Sequence, residues 1–82
     1  MPDRDAIYQS TLVVVAEIAD MSADEIQATD KLRDDLGLDS LQEMEIMSRL
    51  SEEYDIEPEM KDVMNVRTVA DVADFLVTYL KD

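Results

Sequence analysis

The stretch DDLGLDSL, from Asp34 to Leu41, is the most specific part of the sequence, and it predicts where a central helix begins. It contains Gly37, the only glycine in the protein. Glycine adopts a positive φ with almost no steric penalty. We therefore expect a tight turn at Gly37 that leads the chain into a new helix close to Ser40.

Two overlapping capping boxes mark the start of this helix. Asp39 is followed three residues later by Gln42, and Ser40 is followed by Glu43, so either residue can act as the N-cap. In the first register Asp39 caps the helix, and Ser40 is the first helical residue with a free hydroxyl that faces water. A phosphate on that hydroxyl would lie at the positive end of the helix dipole, beside unpaired backbone N–H groups.

The chemistry available to Ser40 is that of an attachment point rather than a nucleophile. The sequence contains no histidine and no cysteine, so the usual bases that activate a serine are absent. We predict no catalytic residues and no enzymatic activity. The capping pattern alone would favour a plain N-cap at Ser40, because many helices begin this way.

The motif and the positions around it resemble the acyl carrier protein family. The run DLGLDSL, residues 35–41, is similar to the family's attachment motif, in which the serine of Asp-Ser-Leu carries a 4′-phosphopantetheine arm. Leu32, the helix that begins at Ser40, and the pair Thr68 and Val69 also lie where that family has equivalents. The resemblance extends over nearly the whole chain.

The resemblance implies roles for two residues of the motif. A phosphopantetheinyl transferase would move the arm from coenzyme A onto the Ser40 hydroxyl, and the terminal thiol of the arm would hold cargo as a thioester. Asp39 would cap the helix and help to orient the transferase complex, with capping alone as the alternative. The carrier would then pass acyl intermediates between acyl-transfer and synthase enzymes.

Fatty acid biosynthesis is the leading pathway that the resemblance implies. Two departures from the family pattern keep an alternative open: Gln42 and Glu43 replace the Asp-Thr pair common in fatty acid carriers, and Arg49 and Ser51 interrupt the acidic face of the helix. The alternative is a specialised carrier for a polyketide, aminoacyl or other secondary pathway. A third hypothesis, from another class, is an unmodified acidic helical adaptor in which Ser40 is only a cap.

Length and charge limit the classes of function. The 82 residues give room for one small domain, which we predict to span residues 1–82. With 21 acidic and 7 basic side chains, the net charge of −14 repels nucleic acid and anionic membranes and favours partners with basic patches. We expect no membrane span and no secretory leader, so the cytoplasm is the expected location. We also expect a monomer.

Hydrophobic periodicity predicts an all-α fold, a small four-helix bundle of three main helices and one short helix. Asp3 or Asp5 is expected to cap the first helix. The second helix is expected from Ser40 to Glu53 or Tyr54, the short third helix from about Glu59 to Asn65, and the last helix after a cap at Thr68. The three apolar stripes predicted to face the core are Ile7, Thr11, Val14, Val15 and Ile18, then Ile46, Met47, Leu50 and Tyr54, then Val69, Val72, Ala73, Leu76, Tyr79 and Leu80.

A long loop, from about Ala19 to Asp39, is predicted between the first two helices. Ser22 and Glu25 form another capping box that predicts a single helical turn within this loop. Ile26 and Leu32 are the apolar residues expected to pin the loop to the core.

The second helix carries a second, outward apolar face. Leu41 and Met44 share this face with Glu45, Ser48 and Glu52. Scattered apolar residues on a surface are normal, so composition does not distinguish this arrangement from a docking surface for a basic partner. The family resemblance favours docking, because this helix is the family's usual recognition element.

Methionines cluster on and between the second and third helices. Because methionine fills irregular gaps, we expect Met47 and at least one of Met60 and Met64 to lie in the core. The alternative is an adaptable seam that admits an acyl chain between these helices, as the family's fatty acid members allow.

No metal site is predicted. Four aspartates surround the glycine turn: Asp30, Asp34, Asp35 and Asp39. If Gly37 took the sixth position of an EF-hand loop, Leu32 and Leu36 would occupy the first and fifth positions, where side-chain oxygens are required. A structural zinc site would need cysteine or histidine, and the sequence has neither.

Overall fold

The computed structural model describes residues 3–80, which form four α-helices. The elements are α1 (Arg4–Ala19), a 3₁₀ turn (Ala23–Glu25), α2 (Ser40–Tyr54), α3 (Met60–Val63) and α4 (Val69–Leu80). Residues 3–80 contain no strand beyond an isolated bridge between Lys31 and Thr68. The predicted all-α fold of three main helices and one short helix is confirmed. The predicted domain ends, residues 1 and 82, lie outside the described residues.

Helix α1 begins at an aspartate cap, as its sequence predicts. The Asp3 carboxylate accepts a hydrogen bond from the backbone N–H of Ala6 at 2.8 Å, so Asp3 rather than Asp5 is the N-cap. The helix ends at Ala19, and its C-cap, Asp20, adopts the left-handed conformation with φ 58°. The run of three valines, residues 13–15, is helical because the apolar periodicity of α1 continues through it and buries Val14 and Val15.

The core lies between α1, α4 and the inward face of α2. Its fully buried side chains include Val15, Ile46, Leu50, Val69, Val72 and Leu76. The predicted stripes are confirmed, with Ile18, Tyr54, Tyr79 and Leu80 half-buried at the edges. Thr11 is the one polar member of α1's stripe, and its hydroxyl donates to the Ile7 carbonyl at 2.8 Å, so it is buried without losing a hydrogen bond.

The loop between α1 and α2 is fixed to the core and to the start of α4. Ile26 and Leu32 are buried as predicted, and Leu38 is a third anchor that the periodicity did not identify. The backbone N–H of Leu32 donates to the Arg67 carbonyl at 2.9 Å, and the N–H of Val69 donates to the Asp30 carbonyl at 3.1 Å. This loop is therefore a rigid support for the beginning of α2.

Helix α3 is shorter than predicted, and one expectation about its methionines is wrong. It covers Met60–Val63 rather than Glu59 to Asn65, and Met60 and Met64 are 57% and 75% exposed, so neither lies in the core. The Tyr79 hydroxyl on α4 accepts from the Glu59 N–H and donates to Asp62, which holds α3 by its polar side. The methionines consequently line a groove toward α2 instead of filling the interior.

Candidate functional site

The turn at Gly37 sets the position of the whole site. Gly37 has φ 70°, and its N–H donates to the Arg33 carbonyl at 3.0 Å, while the Leu38 N–H donates to the Leu32 carbonyl at 2.9 Å. A Cβ at Gly37 would meet no atom within 4 Å, so backbone conformation rather than space requires glycine here. The predicted tight turn is confirmed. It reverses the direction of the chain, so that the first residue of α2, Ser40, lies beside Arg33.

Asp39 caps α2 in the first of the two predicted registers. Its carboxylate accepts from the Gln42 N–H at 2.8 Å, and the Gln42 side-chain oxygen accepts from the Asp39 N–H at 3.0 Å. Glu43 does not complete a second capping box, because its carboxylate accepts from Arg33 instead. Ser40 is therefore the first residue of α2, and its side chain is exposed.

The Ser40 hydroxyl is exposed but not free, which corrects the sequence-based expectation. Arg33 Nη2 donates to Ser40 Oγ at 2.8 Å, and Arg33 Nε donates to Glu43 Oε1 at 3.0 Å. Arg33, Ser40 and Glu43 thus form a polar cluster, called here the Arg33 cluster. The hydrogen bond and charge of Glu43 raise the pKa of Arg33, whose guanidinium carries its positive charge beside Ser40 as any arginine does.

A groove runs from Ser40 between α2 and α3. It encloses about 500 Å³, and we call it the α2–α3 groove. Its apolar lining consists of Leu32, Met44, Met47, Met60, Val63, Met64 and Val66. A neighbouring depression of about 450 Å³ shares Met44, Met47, Met60 and Val63 with it and extends to Pro58. Flexible methionines on both walls make this space adaptable in shape.

The five residues predicted to form a docking surface are all exposed on α2. Leu41 is 76% exposed and Met44 is 48% exposed, and Glu45, Ser48 and Glu52 are exposed beside them. Met44 also lines the α2–α3 groove, so this outward face and the groove are continuous. The structure brings the five residues together on one helix, and their role in binding stays a prediction.

Residues 3–80 contain neither a metal-binding cluster nor a membrane-spanning helix. No group of three or more acidic, histidine or cysteine side chains there is arranged to hold a metal ion. None of the helices in this part of the chain has the length and apolar character needed to cross a membrane.

Comparison with known proteins gives consistent matches along the chain. A family described as "Phosphopantetheine attachment site" matches residues 11–76. The acyl carrier protein of Bdellovibrio bacteriovorus is 34% identical over 71 residues, which cover 87% of this chain and 91% of that protein. The acyl carrier protein of Exiguobacterium sp. is 39% identical over 77 residues, which cover 94% and 98%.

The fold also matches solved structures. An acyl carrier protein from Enterococcus faecalis superposes with a TM-score of 0.80 at 26% sequence identity, over 95% of this chain and 99% of that one. Fold and matched segment together define a small helical carrier domain for phosphopantetheine. The chain belongs to the acyl carrier protein family, whose phosphopantetheine domains bear the 4′-phosphopantetheine group covalently. Members of this family are carriers rather than catalysts, and they interact with transferase and synthase enzymes.

The residues at the start of α2 fit such a group. The hydroxyl of Ser40 is exposed, it lies at the positive end of α2, and the α2–α3 groove opens beside it. An elongated arm that begins with an anionic phosphodiester is compatible with all three features.

Proposed function

We propose that Ser40 carries the phosphopantetheine arm and that the loaded protein shuttles acyl intermediates in fatty acid biosynthesis. The observation that carries the proposal is the exposed hydroxyl at the first residue of α2, inside the Asp-Ser-Leu run of the segment that matches the phosphopantetheine family. When bound, the arm supplies the thiol for thioester chemistry, which this cysteine-free chain cannot supply.

The neighbours of Ser40 hold its hydroxyl in an accessible position. Asp39 fixes the first turn of α2 through its reciprocal bonds with Gln42, and buried Leu38 anchors the preceding backbone. These contacts leave the Ser40 side chain at the surface, where a transferase can reach it. The role proposed for Asp39 in orienting the transferase complex is additional to capping.

Three of the four residues that depart from the fatty acid pattern have partners within the chain, whereas the buried Ser51 hydroxyl has no hydrogen-bond partner among the described residues. Gln42 belongs to the cap of α2 and Glu43 belongs to the Arg33 cluster, so both have structural partners within the chain. Arg49 donates to Glu17 of α1 at 2.7 Å, so its positive charge is balanced internally. These contacts give the three residues structural roles, and a specialised carrier for a polyketide, aminoacyl or other secondary pathway stays the alternative function.

Partner enzymes are proposed to dock on the exposed face of α2. Leu41 and Met44 offer apolar contact, and the carboxylates of Glu45 and Glu52 beside Ser48 offer charge that attracts a basic patch. The net charge of −14 supports long-range steering of such partners. The unmodified adaptor would use the same face, but it does not account for the family match.

We also propose that the chain is a single carrier domain. The two relatives described above align over 91% and 98% of their own lengths, which supports a single carrier domain. The monomeric state and the cytoplasmic location stay predictions from the sequence.

The test of the function is the intact mass after incubation with coenzyme A, magnesium and a broad-specificity phosphopantetheinyl transferase. We expect one phosphopantetheinyl increment on the parent and none on Ser40→Ala. The loaded parent is then offered to fatty acid synthase enzymes and to aminoacyl-adenylating enzymes, and acylation by the former alone supports the pathway. If the folded parent gains no mass while a known carrier is modified in parallel, the adaptor hypothesis is favoured.

A further inference from the structure

The Arg33 cluster adds contacts to the start of α2 that the helix cap at Asp39 does not need. We propose that the guanidinium of Arg33 binds the phosphodiester on Ser40 and holds the root of the arm at the mouth of the α2–α3 groove. The inference rests on the proposed attachment at Ser40. Arg33 is a positioning residue in this account, since it does not touch the reacting end of the arm.

Distance supports this assignment. Arg33 Nη2 lies 2.8 Å from Ser40 Oγ, which becomes the ester oxygen bonded directly to phosphorus after attachment. The non-bridging phosphate oxygens would be two bonds from Oγ, close enough for the same guanidinium to reach them. Arginine presents several N–H donors in a rigid fork that matches phosphate, and such charge-assisted bonds are stronger than the bond to a neutral hydroxyl.

Glu43 directs the guanidinium without using all of its donors. Glu43 Oε1 accepts from Arg33 Nε at 3.0 Å and lies 2.9 Å from Nη2, which fixes the plane of the guanidinium across the first turn of α2. Nη1 and the second proton of Nη2 remain for an oxygen on the Ser40 side. Arg33 can therefore bind the phosphodiester while it keeps its contact with Glu43.

The charge around the α2–α3 groove favours an anion more than the charge of the chain as a whole does. The whole chain has 21 acidic and 7 basic side chains, whereas the α2–α3 groove is lined by two acidic residues, Asp34 and Glu43, and by three basic ones, Lys31, Arg33 and Arg67. A phosphodiester placed on Ser40 without Arg33 would lie next to Asp39 and Glu43, and like charges at short range repel. Arg33 offsets that repulsion at the point of attachment.

The experiment uses the phosphorus atom of the loaded protein as the reporter. The parent, Arg33→Gln, Arg33→Lys and Arg49→Gln are loaded with the transferase, and loading is verified by intact mass. Arg49→Gln is the matched control, because Arg49 is also an exposed arginine paired with a glutamate, but with Glu17 of α1. The ³¹P resonance of each loaded protein is then recorded at low and high salt.

We expect the parent and Arg49→Gln to share one ³¹P shift and Arg33→Gln to differ from both. Arg33→Lys should lie between them, because lysine retains the charge but not the fork. Raising the salt should move the parent toward Arg33→Gln, since exposed ionic contacts are screened. A loaded Arg33→Gln whose resonance coincides with the parent at low salt overturns the inference and leaves the proposed function intact.

A second measurement needs no variant. In the parent, the Nε–H resonance of Arg33 should shift between the unloaded and loaded forms, and that of Arg49 should not. An unchanged Arg33 signal on a protein that has gained the phosphopantetheinyl mass contradicts the inference alone. A parent that gains no mass contradicts the proposed function, and the inference falls with it.

Discussion

The molecule has a packed half, in which apolar side chains are buried, and a groove half, in which apolar side chains are largely exposed. In the packed half, α1, α4 and the inward face of α2 bury Leu50 and Leu76 completely. In the groove half, α3 and the outward face of α2 leave Met60 and Met64 largely exposed. The four-residue α3 is too short to cover the outward face of α2, so the apolar side chains between these two helices line an adaptable surface instead of adding to the core.

The largest expected effect is in the packed half. Leu76→Ala removes a fully buried side chain and should lower the free energy of unfolding by about 2–5 kcal/mol. Met64→Ala, the control in the groove half, should change it by less than about 0.5 kcal/mol, because Met64 is 75% exposed. Urea denaturation measures both. Equal losses in the two variants would remove the distinction between the halves.

The turn at Gly37, which leads the chain into α2, should give the next largest effect. Gly37→Ala keeps φ at 70° only with strain and should cost about 1–2 kcal/mol of stability. The surrounding space is open, so no clash contributes. Gly37→Asn is the control, since asparagine tolerates the left-handed conformation better. If alanine and asparagine were equally well tolerated in urea denaturation, backbone strain would not be the reason for glycine.

The cap of α2 should contribute about 1 kcal/mol. Asp39→Ala removes the acceptor for the Gln42 N–H, whereas Asp39→Asn retains a capping oxygen and should be close to the parent in stability. The rate of loading by the transferase separates the two roles of Asp39. If its charge helps to orient the transferase complex, Asp39→Asn loads more slowly than the parent. An unchanged rate would assign Asp39 to capping alone.

The smallest effect is expected at the Arg49–Glu17 pair, which ties α2 to α1 at the surface. Arg49→Gln should lower stability by less than Asp39→Ala does, because both side chains of the pair are partly exposed and surface ion pairs contribute little. High salt should reduce the difference from the parent. A loss as large as that of Leu76→Ala would mean that surface ion pairs, rather than the core, hold the packed half together.

The sequence predicted the packed half well because long periodic helices carry a strong signal. Val14 and Val15 in α1 and Val72 and Leu76 in α4 are buried where the i, i+3, i+4 spacing places them. The sequence limited the cap of α2 to Asp39 or Ser40, since capping depends on residues only three positions apart, and the structure selects Asp39.

The groove half was less predictable for physical reasons. Four residues of α3 are too few for a periodic pattern, so apolar residue type alone suggested burial for Met60 or Met64. The contact of Arg33 with Ser40 depends on the chain reversal at Gly37, which places residues seven apart side by side. The sequence feature that could have pointed to this contact was a basic residue, Arg33, shortly before the acidic motif.

Attachment at Ser40 is tested directly by locating the phosphopantetheinyl group within the loaded protein. Tryptic cleavage after Arg33 and Arg49 releases residues 34–49, which contain both Ser40 and Ser48, so fragment masses must distinguish the two. We expect the added mass on Ser40 alone. Modification of Ser48, of a serine outside this peptide, or of no residue in a folded protein would contradict the account.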